Sequence, residues 1–436
     1  MEGPLTLLLA PLISYEPKVA LKRTASHDEA KIAAPRYPSS KMHVPGYRRC
    51  WEWLYRTTRQ RWRSISICIV FVWLFLAYKG HTKGGHSHSI TGRSYELEKS
   101  YRLPSEDSMS SASHSRNYLD IEQAQEFCVE HGFQHWPSRG TQRKVYDLFM
   151  LNDELDWLEI RLNTLAAYVD YFVILESPVT FTGLPKPLVL KEHWAQFEKF
   201  HSQIIYHEVA DIPLDARWTW DMEDHQRNAM YKQVIPGLQG AQMANIGDVL
   251  IVADVEEIPR PTAITIMRNC DFPKRLTLRS QFFYYGFQWR HVGEDWAHPQ
   301  ATIYYGPERT ILPVDLRNGE GGNRISAWWD KAELWNAGWH CSTCFEKIND
   351  VLKKMSSFSH TGYNKEEFRD RTRIVDRVRK GLDLWDRPGE NYIYISDNQD
   401  IPQFLRENRL RFKYMLDRDN WSAGFVDYNE GESAPD

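Results

Sequence analysis

The feature that most constrains this chain is a rhythm of short apolar runs and helical spacings that begins at Lys144 and continues to about residue 420. Residues 145–151, Val-Tyr-Asp-Leu-Phe-Met-Leu, form one nearly continuous apolar run, and residues 171–175, Tyr-Phe-Val-Ile-Leu, form another. Between them Leu155, Leu158, Leu162, Leu165 and Ala166 recur at helical spacing. Uninterrupted apolar strands are buried on both faces, as in parallel sheets joined by helical crossovers. Residues 204–206 predict a further strand, 221–234 a helix stopped by Pro236-Gly237, and 248–253 a short buried strand. Strand-like stretches at 275–278, 282–285 and 302–305 follow, then helices near 345–355 and 365–380. The expected architecture is one α/β domain over 144–420, a mixed sheet flanked by helices.

Upstream the composition changes. Residues 65–78 form an apolar run without charge, flanked by Arg63 and Lys79. The run falls short of the about 20 residues of a full span. Trp62, Tyr78 and the flanking basic side chains extend its effective length by seating in the headgroup regions. Six arginines (48, 49, 56, 59, 61 and 63) precede the run, whereas Lys79, Lys83 and Arg93 follow it. That asymmetry puts the N-terminal side in the cytosol and the rest in the lumen. The expected division is therefore a cytosolic tail over 1–63, a transmembrane signal anchor over 64–79, and a Ser- and His-rich lumenal stem over 80–143. The folded domain over 144–420 and a C-terminal tail over 421–436 complete it. A net charge of −4 over 436 residues gives no reason to expect a nucleic-acid partner.

Four cysteines, Cys128, Cys270, Cys341 and Cys344, fall on the lumenal side, where an oxidising compartment favours disulfides and three pairings are open. Cys341-Ser-Thr-Cys344 has the spacing of a redox pair or half a zinc site, but no second pair supports either. Asn420-Trp-Ser422 is an N-glycosylation acceptor.

The sharpest chemical feature is the run 249–259, Val-Leu-Ile-Val-Ala-Asp-Val-Glu-Glu-Ile-Pro. An apolar strand there delivers Asp254, Glu256 and Glu257 at its C-terminal end, the edge where open α/β sheets bind ligands. Asp254 and Glu256 together offer hard oxygen ligands for Mg²⁺ or Mn²⁺, whose other positions diphosphate oxygens and water would fill. The bland alternative is a solvated acidic strand end. No dinucleotide glycine fingerprint, P-loop, zincin or esterase motif occurs.

The run resembles the Asp-x-Asp signature of GT-A glycosyltransferases. More specifically it is similar to the Asp-Ala-Asp-Glu-Ile-Pro form found in the β-1,4-mannosyl-glycoprotein 4-β-N-acetylglucosaminyltransferase family, glycosyltransferase family 17. The likeness extends to residues 149–162, 173–177, 180–183 with 186–188, 226–228, 338–345 and 357–364. It implies a GT-A-like fold and an inverting transfer of N-acetylglucosamine from UDP-N-acetylglucosamine (UDP-GlcNAc) to a mannose of a glycoprotein N-glycan. It also implies a divalent cation, a Golgi membrane and a type II anchor. In that picture Asp254 and Glu256 hold the metal and diphosphate, with His340 or His360 as a third ligand or a donor contact. Asn152, Glu154 and Glu176 border the nucleotide, and Arg227 and Asn228 precede the metal strand, Arg227 facing the diphosphate. Glu257 is the nominal base, with Asp330 or Glu333 behind it. The sequence departs from relatives at Ala253, Glu256 and Gly362. Tryptophans 289, 296, 328, 329, 335 and 339 offer indole faces of the kind that stack on sugars, although most such residues belong to cores. The rival readings are another donor or acceptor on the same fold, and a catalytically silent, membrane-anchored glycan-binding protein.

Overall fold

The computed structural model describes residues 118–137, 142–211, 213, 219–321, 330–359 and 361–429. The expected cytosolic tail, span and most of the stem, together with Trp328, Trp329 and His360, lie outside the described residues. Among the described residues no helix is long and apolar enough to cross a membrane.

Twelve strands are described: β1 (Gln134–His135), β2 (Val145–Met150), β3 (Tyr171–Glu176), β4 (Ile204–Glu208), β5 (Val249–Asp254), β6 (Glu257–Pro259), β7 (Cys270–Asp271), β8 (Arg275–Tyr284), β9 (Gly286–His291), β10 (Gln300–Ile303), β11 (Lys331–Ser342) and β12 (Tyr392–Tyr394). The helices used below are α1 (Ile121–Glu130), α2 (Leu155–Leu165), α3 (Val189–Glu192), α4 (Thr219–Ala229), α5 (Pro261–Asn269), α6 (Pro313–Arg317), α7 (Ile348–Ser357) and α8 (Arg371–Lys380). Ten strands join one sheet in the order β12-β9-β8-β10-β5-β2-β3-β4, with β11 beside β8 and β6 beside β11. The half β5-β2-β3-β4 is parallel, β10 runs antiparallel to β5, and β11 runs parallel to β8. This is the mixed sheet expected from the sequence.

Period-2 alternation distributes the apolar strands between two cores. Phe149, Phe172, Ile174, Val249 and Ile251 face α2 and α5, while Leu148, Val173, Leu175, Leu250 and Val252 face the Ala229–Val234 segment that continues α4. Asp147 breaks the apolar run of β2, yet it is fully buried and pairs with the equally buried Arg161 of α2.

Two boundaries move. The stem expected over 80–143 ends earlier, because Asp120 caps α1 with a capping box at Gln123 and Phe127 enters the core. A disulfide from Cys128 to Cys270 ties α1 to the end of α5. At the other end the expected tail over 421–436 includes Ala423 and Phe425, which are buried against α7 and α8. Cys341 and Cys344 pair locally, closing the turn after β11. The long strand β11 is not foreseen by the sequence pattern. Gly338 lets it pass between β6 and β8, since a Cβ there would come within 2.6 Å of Ser280 Oγ and 2.7 Å of the Ile258 carbonyl.

Candidate active site

β5 ends at Asp254, the chain turns through Val255 and Glu256, and Glu257 opens β6 against His340 of β11. Arg161 holds this turn from below, donating to the carbonyls of Asp254, Val255 and Glu257 at 2.7–3.1 Å. The loop after β2 is adjacent, because Met150 and Asp254 are register partners. The three carboxylates therefore stand at the C-terminal edge of the parallel half, where open α/β sheets take their ligands.

Each carboxylate has met a cation supplied by a helix. Asp254, with a third of its side chain exposed, accepts from Arg227 of α4 through Oδ1 (2.9 Å) and from Arg317 of α6 through Oδ2 (3.0 Å). Burial pushes its pKa up, but the two guanidinium groups outweigh this and hold it well below the usual carboxylate range. Glu257 is fully buried and accepts from Arg317 (2.7 and 3.0 Å), from the Trp296 indole (2.8 Å) and from the Asp254 backbone N–H (2.8 Å). Against the effect of burial, Arg317 holds it at about 2. Lys354 of α7 donates to Glu256 Oε1 at 2.9 Å. Burial would depress the Lys354 pKa, but Glu256 and Glu154 raise it to about 12.

The sequence fragments that carried the resemblance converge here. Glu154 Oε2 accepts the backbone N–H groups of Asn152 and Asp153, and burial, Asp153 and Glu256 raise its pKa to about 7. Lys186 donates to the Asn152 carbonyl at 3.0 Å, and Lys353 pairs with Asp153 at 2.6 Å. Arg227 also pairs with Glu223, which accepts from Ser359 at 2.7 Å. Thr182 donates to the Ser356 carbonyl at 2.9 Å, joining the 180–183 turn to α7.

Several expected roles change. Glu257 cannot serve as a base while it is sealed from solvent with both oxygens engaged; it is the anchor of Arg317. Asp330 is not brought to the site. It accepts from the backbone N–H of Lys274, next to the start of β8, and so lies at the opposite end of the sheet from Asp254. Glu333 pairs with Arg279. Glu176 is fully buried and accepts the N–H groups of Leu190 and Lys191 in α3 and the Tyr206 hydroxyl, so it holds a turn rather than a nucleotide. Asn228 accepts the N–H of Val314 and thereby sets the start of α6, which carries Arg317. His340 is 6% exposed and its Nδ1 has no hydrogen-bond partner among the described residues. Burial lowers its pKa, leaving the imidazole neutral. Asn420 is exposed, its Oδ1 accepting from Ser422 and Gly424.

Arg317, Lys354 and His298 escape a reading of motifs, and Trp296, expected as one of six indoles able to stack on a sugar, is not foreseen as a donor to Glu257. The signal available is charge balance: three carboxylates at a buried strand end require cations from elsewhere. His298 interacts electrostatically with Arg317, Glu257 and Asp254, and burial followed by the charge of Arg317 lowers its pKa to about 4.

Residues 59–422 match the family model described as Glycosyltransferase family 17. The chain belongs to glycosyltransferase family 17. Among curated relatives it is similar to the β-1,4-mannosyl-glycoprotein 4-β-N-acetylglucosaminyltransferase of Homo sapiens, 27% identical over 303 residues, covering 64% of this chain and 56% of that protein. The same enzyme of Rattus norvegicus is 26% identical, with 64% and 55% covered. This chain thus spans about half the length of the curated relatives it matches. Among solved structures, the mannosyltransferase PcManGT from Pyrobaculum calidifontis in complex with GDP-Man and Mn²⁺ matches at 10% identity and a TM-score of 0.27. The match covers 61% of this chain and 71% of that chain, a likeness too loose to build on.

Proposed function

We propose that this family 17 member is a GT-A-like, cation-dependent inverting glycosyltransferase that moves N-acetylglucosamine from UDP-GlcNAc to a mannose of a glycoprotein N-glycan. Its catalytic body is lumenal, carried on a type II anchor at 64–79 in the Golgi membrane. The names of the relatives support the donor sugar and acceptor, and the two disulfides support an oxidising lumen.

The observation that carries the proposal is the charge balance at the end of β5. Asp254, Glu256 and Glu257 are already matched by Arg227, Arg317 and Lys354. These three cations are committed to carboxylates, so an arriving nucleotide diphosphate needs a counter-charge of its own. The donor set fits one. Asp254 and Glu256 offer hard oxygens, and Asp254, unlike Glu257, keeps a third of its side chain exposed beside its two guanidinium partners. A site with one or two carboxylates, completed by substrate phosphates, is the usual habit of Mg²⁺-like ions. Bound there, a divalent cation supplies neutralisation of the charge that develops on the leaving diphosphate. The chain's own part is to fix the carboxylates through Arg161 and Arg317, and to line the donor with the 152–154 loop.

The test is incubation of the purified protein with Mn²⁺, a panel of UDP- and GDP-sugars and mannose-terminated N-glycans, followed by mass analysis of the glycan. Gain of one N-acetylhexosamine from UDP-GlcNAc alone is expected. Transfer of a different sugar would reassign the donor, and binding without transfer would favour the glycan-binding reading.

A further inference from the structure

Of the six tryptophans that stand out in the C-terminal half, four are described, and they occupy different settings. Trp339 is 5% exposed, lies beneath Arg260 and donates to Asp400. Trp335 faces the guanidinium of Arg279, and Trp289 packs edge-on to Tyr394. Trp296 alone of these four donates to the carboxylate cluster, through its 2.8 Å bond to Glu257. Its backbone exchanges two hydrogen bonds with Ser280 of β8, at 2.8 and 2.9 Å, so the indole is fixed from both its main chain and its N–H. The side chain is nevertheless partly exposed.

Around it stands an aromatic wall. The His340 ring lies 4.7 Å from the indole, His298 5.4 Å and Phe282 5.5 Å, and Phe282 stacks on His340 at 5.0 Å with an interplanar angle of 10°. The Nδ1 of His340 is buried and without a hydrogen-bond partner among the described residues. A buried polar nitrogen normally finds a partner, so an unmatched one on a ring packed against Phe282 and Trp296 points to a polar ligand. Apolar ring faces with a few fixed polar groups are what a pyranose needs. Its C–H face stacks on the rings and its hydroxyls take the hydrogen bonds.

The location distinguishes the two sugars of a transfer reaction. The loop after β2 and the parallel strands lie on one side of Asp254, the side on which nucleotides bind such sheets. Phe282 on β8, His340 on β11 and Trp296 after β9 lie on the other side, beyond the antiparallel β10. We propose that Trp296 and Phe282, with His340 Nδ1 at their edge, form the acceptor subsite, a platform for a pyranose of the acceptor glycan beside the sugar–diphosphate at Asp254. The assignment rests on the transferase reading for the identity of the pyranose, but the stacking surface is testable without turnover.

The experiment titrates a mannose-terminated N-glycan into the full chain in the presence of Mn²⁺ and UDP, and separately titrates UDP-GlcNAc with Mn²⁺. Trp296→Ala is expected to weaken glycan binding about tenfold. Trp296→Phe, which keeps a ring but loses the bond to Glu257, should stay within about threefold of wild type, and Phe282→Leu should weaken the glycan about fivefold. The Kd for UDP-GlcNAc should be unaltered in Phe282→Leu, which leaves the bond from Trp296 to Glu257 in place. Equal glycan affinity in Trp296→Ala, or in Phe282→Leu should the first variant not fold, overturns the platform. A weakened UDP-GlcNAc with an unchanged glycan overturns the acceptor assignment in favour of the donor sugar. Glycan binding that depends on Trp296 in a protein that never transfers any sugar upholds the platform and removes the transferase reading.

Discussion

Arg161 grips Asp147 with two parallel hydrogen bonds, 2.7 Å through Nε and 2.6 Å through Nη2, and neither side chain has any exposure. The third nitrogen of the same guanidinium reaches three carbonyls of the 254–257 turn. A charge planted in the middle of a buried strand is thus the foundation on which the site's carboxylates are held.

Removing one partner of such a pair leaves a buried charge without compensation, which costs about 3–5 kcal/mol. Asp147→Asn should lose that much in urea unfolding. A loss under about 1 kcal/mol would mean that the pair does not position the turn.

Arg317 plays a similar part for Glu257, and the consequence is a pH dependence. Glu257 is held at about 2, below its ordinary 4.5, so its contribution to stability is present above pH 4.5 and is lost as the pH falls towards 2. Arg317→Met removes the cause. The acid-unfolding midpoint, followed by circular dichroism, should move to higher pH, because Glu257 and Asp254 both lose the guanidinium that keeps them ionised. An unchanged midpoint would separate Glu257 from Arg317.

Glu154 runs the other way. Burial, Asp153 and Glu256 raise it to about 7, so the stability that its protonated form contributes is present below pH 4.5 and disappears as the pH rises through 7. Ionisation near neutrality adds a negative charge beside Glu256. Affinity for Mn²⁺ should therefore climb between about pH 6 and 8, and Glu154→Gln should flatten that rise. The same slope in wild type and variant would place Glu154 outside the cation's field.

The Cys128–Cys270 bridge spans 142 residues and fastens α1 to α5. Replacing both cysteines by serine should cost about 4–5 kcal/mol by the loop-entropy scale. The measurement is calorimetric melting under non-reducing conditions. A melting temperature unaffected by the replacement would show that α1 is held by packing alone.

The parallel half of the sheet was legible because β2, β3 and β5 are runs buried along nearly their whole length, as strands covered on both faces must be. Asp254 was legible because it ends one of them. What escaped were residues that meet across long sequence separations. Arg317 and Lys354 come from α6 and α7, and no local period marks them. Glu257 and Glu176 misled for a related reason. A carboxylate beside a site motif looks reactive in sequence, and only the full set of its hydrogen-bond partners shows that it is a structural anchor. The helix α1 was hidden by the Ser-rich composition that runs up to it, although Asp120 and Gln123 already spelled a capping box.

The central claim is that the diphosphate of a nucleotide-sugar is held at Asp254 with the help of a divalent cation, because Arg227, Arg317 and Lys354 are already engaged by carboxylates. Isothermal titration of UDP-GlcNAc into wild type and Asp254→Asn, each with Mn²⁺ and with EDTA, tests it most directly. Binding that appears only in wild type with Mn²⁺, while Asp254→Asn still unfolds cooperatively at a lower melting temperature, is the expected result. Equal binding in EDTA, or in Asp254→Asn, would contradict it.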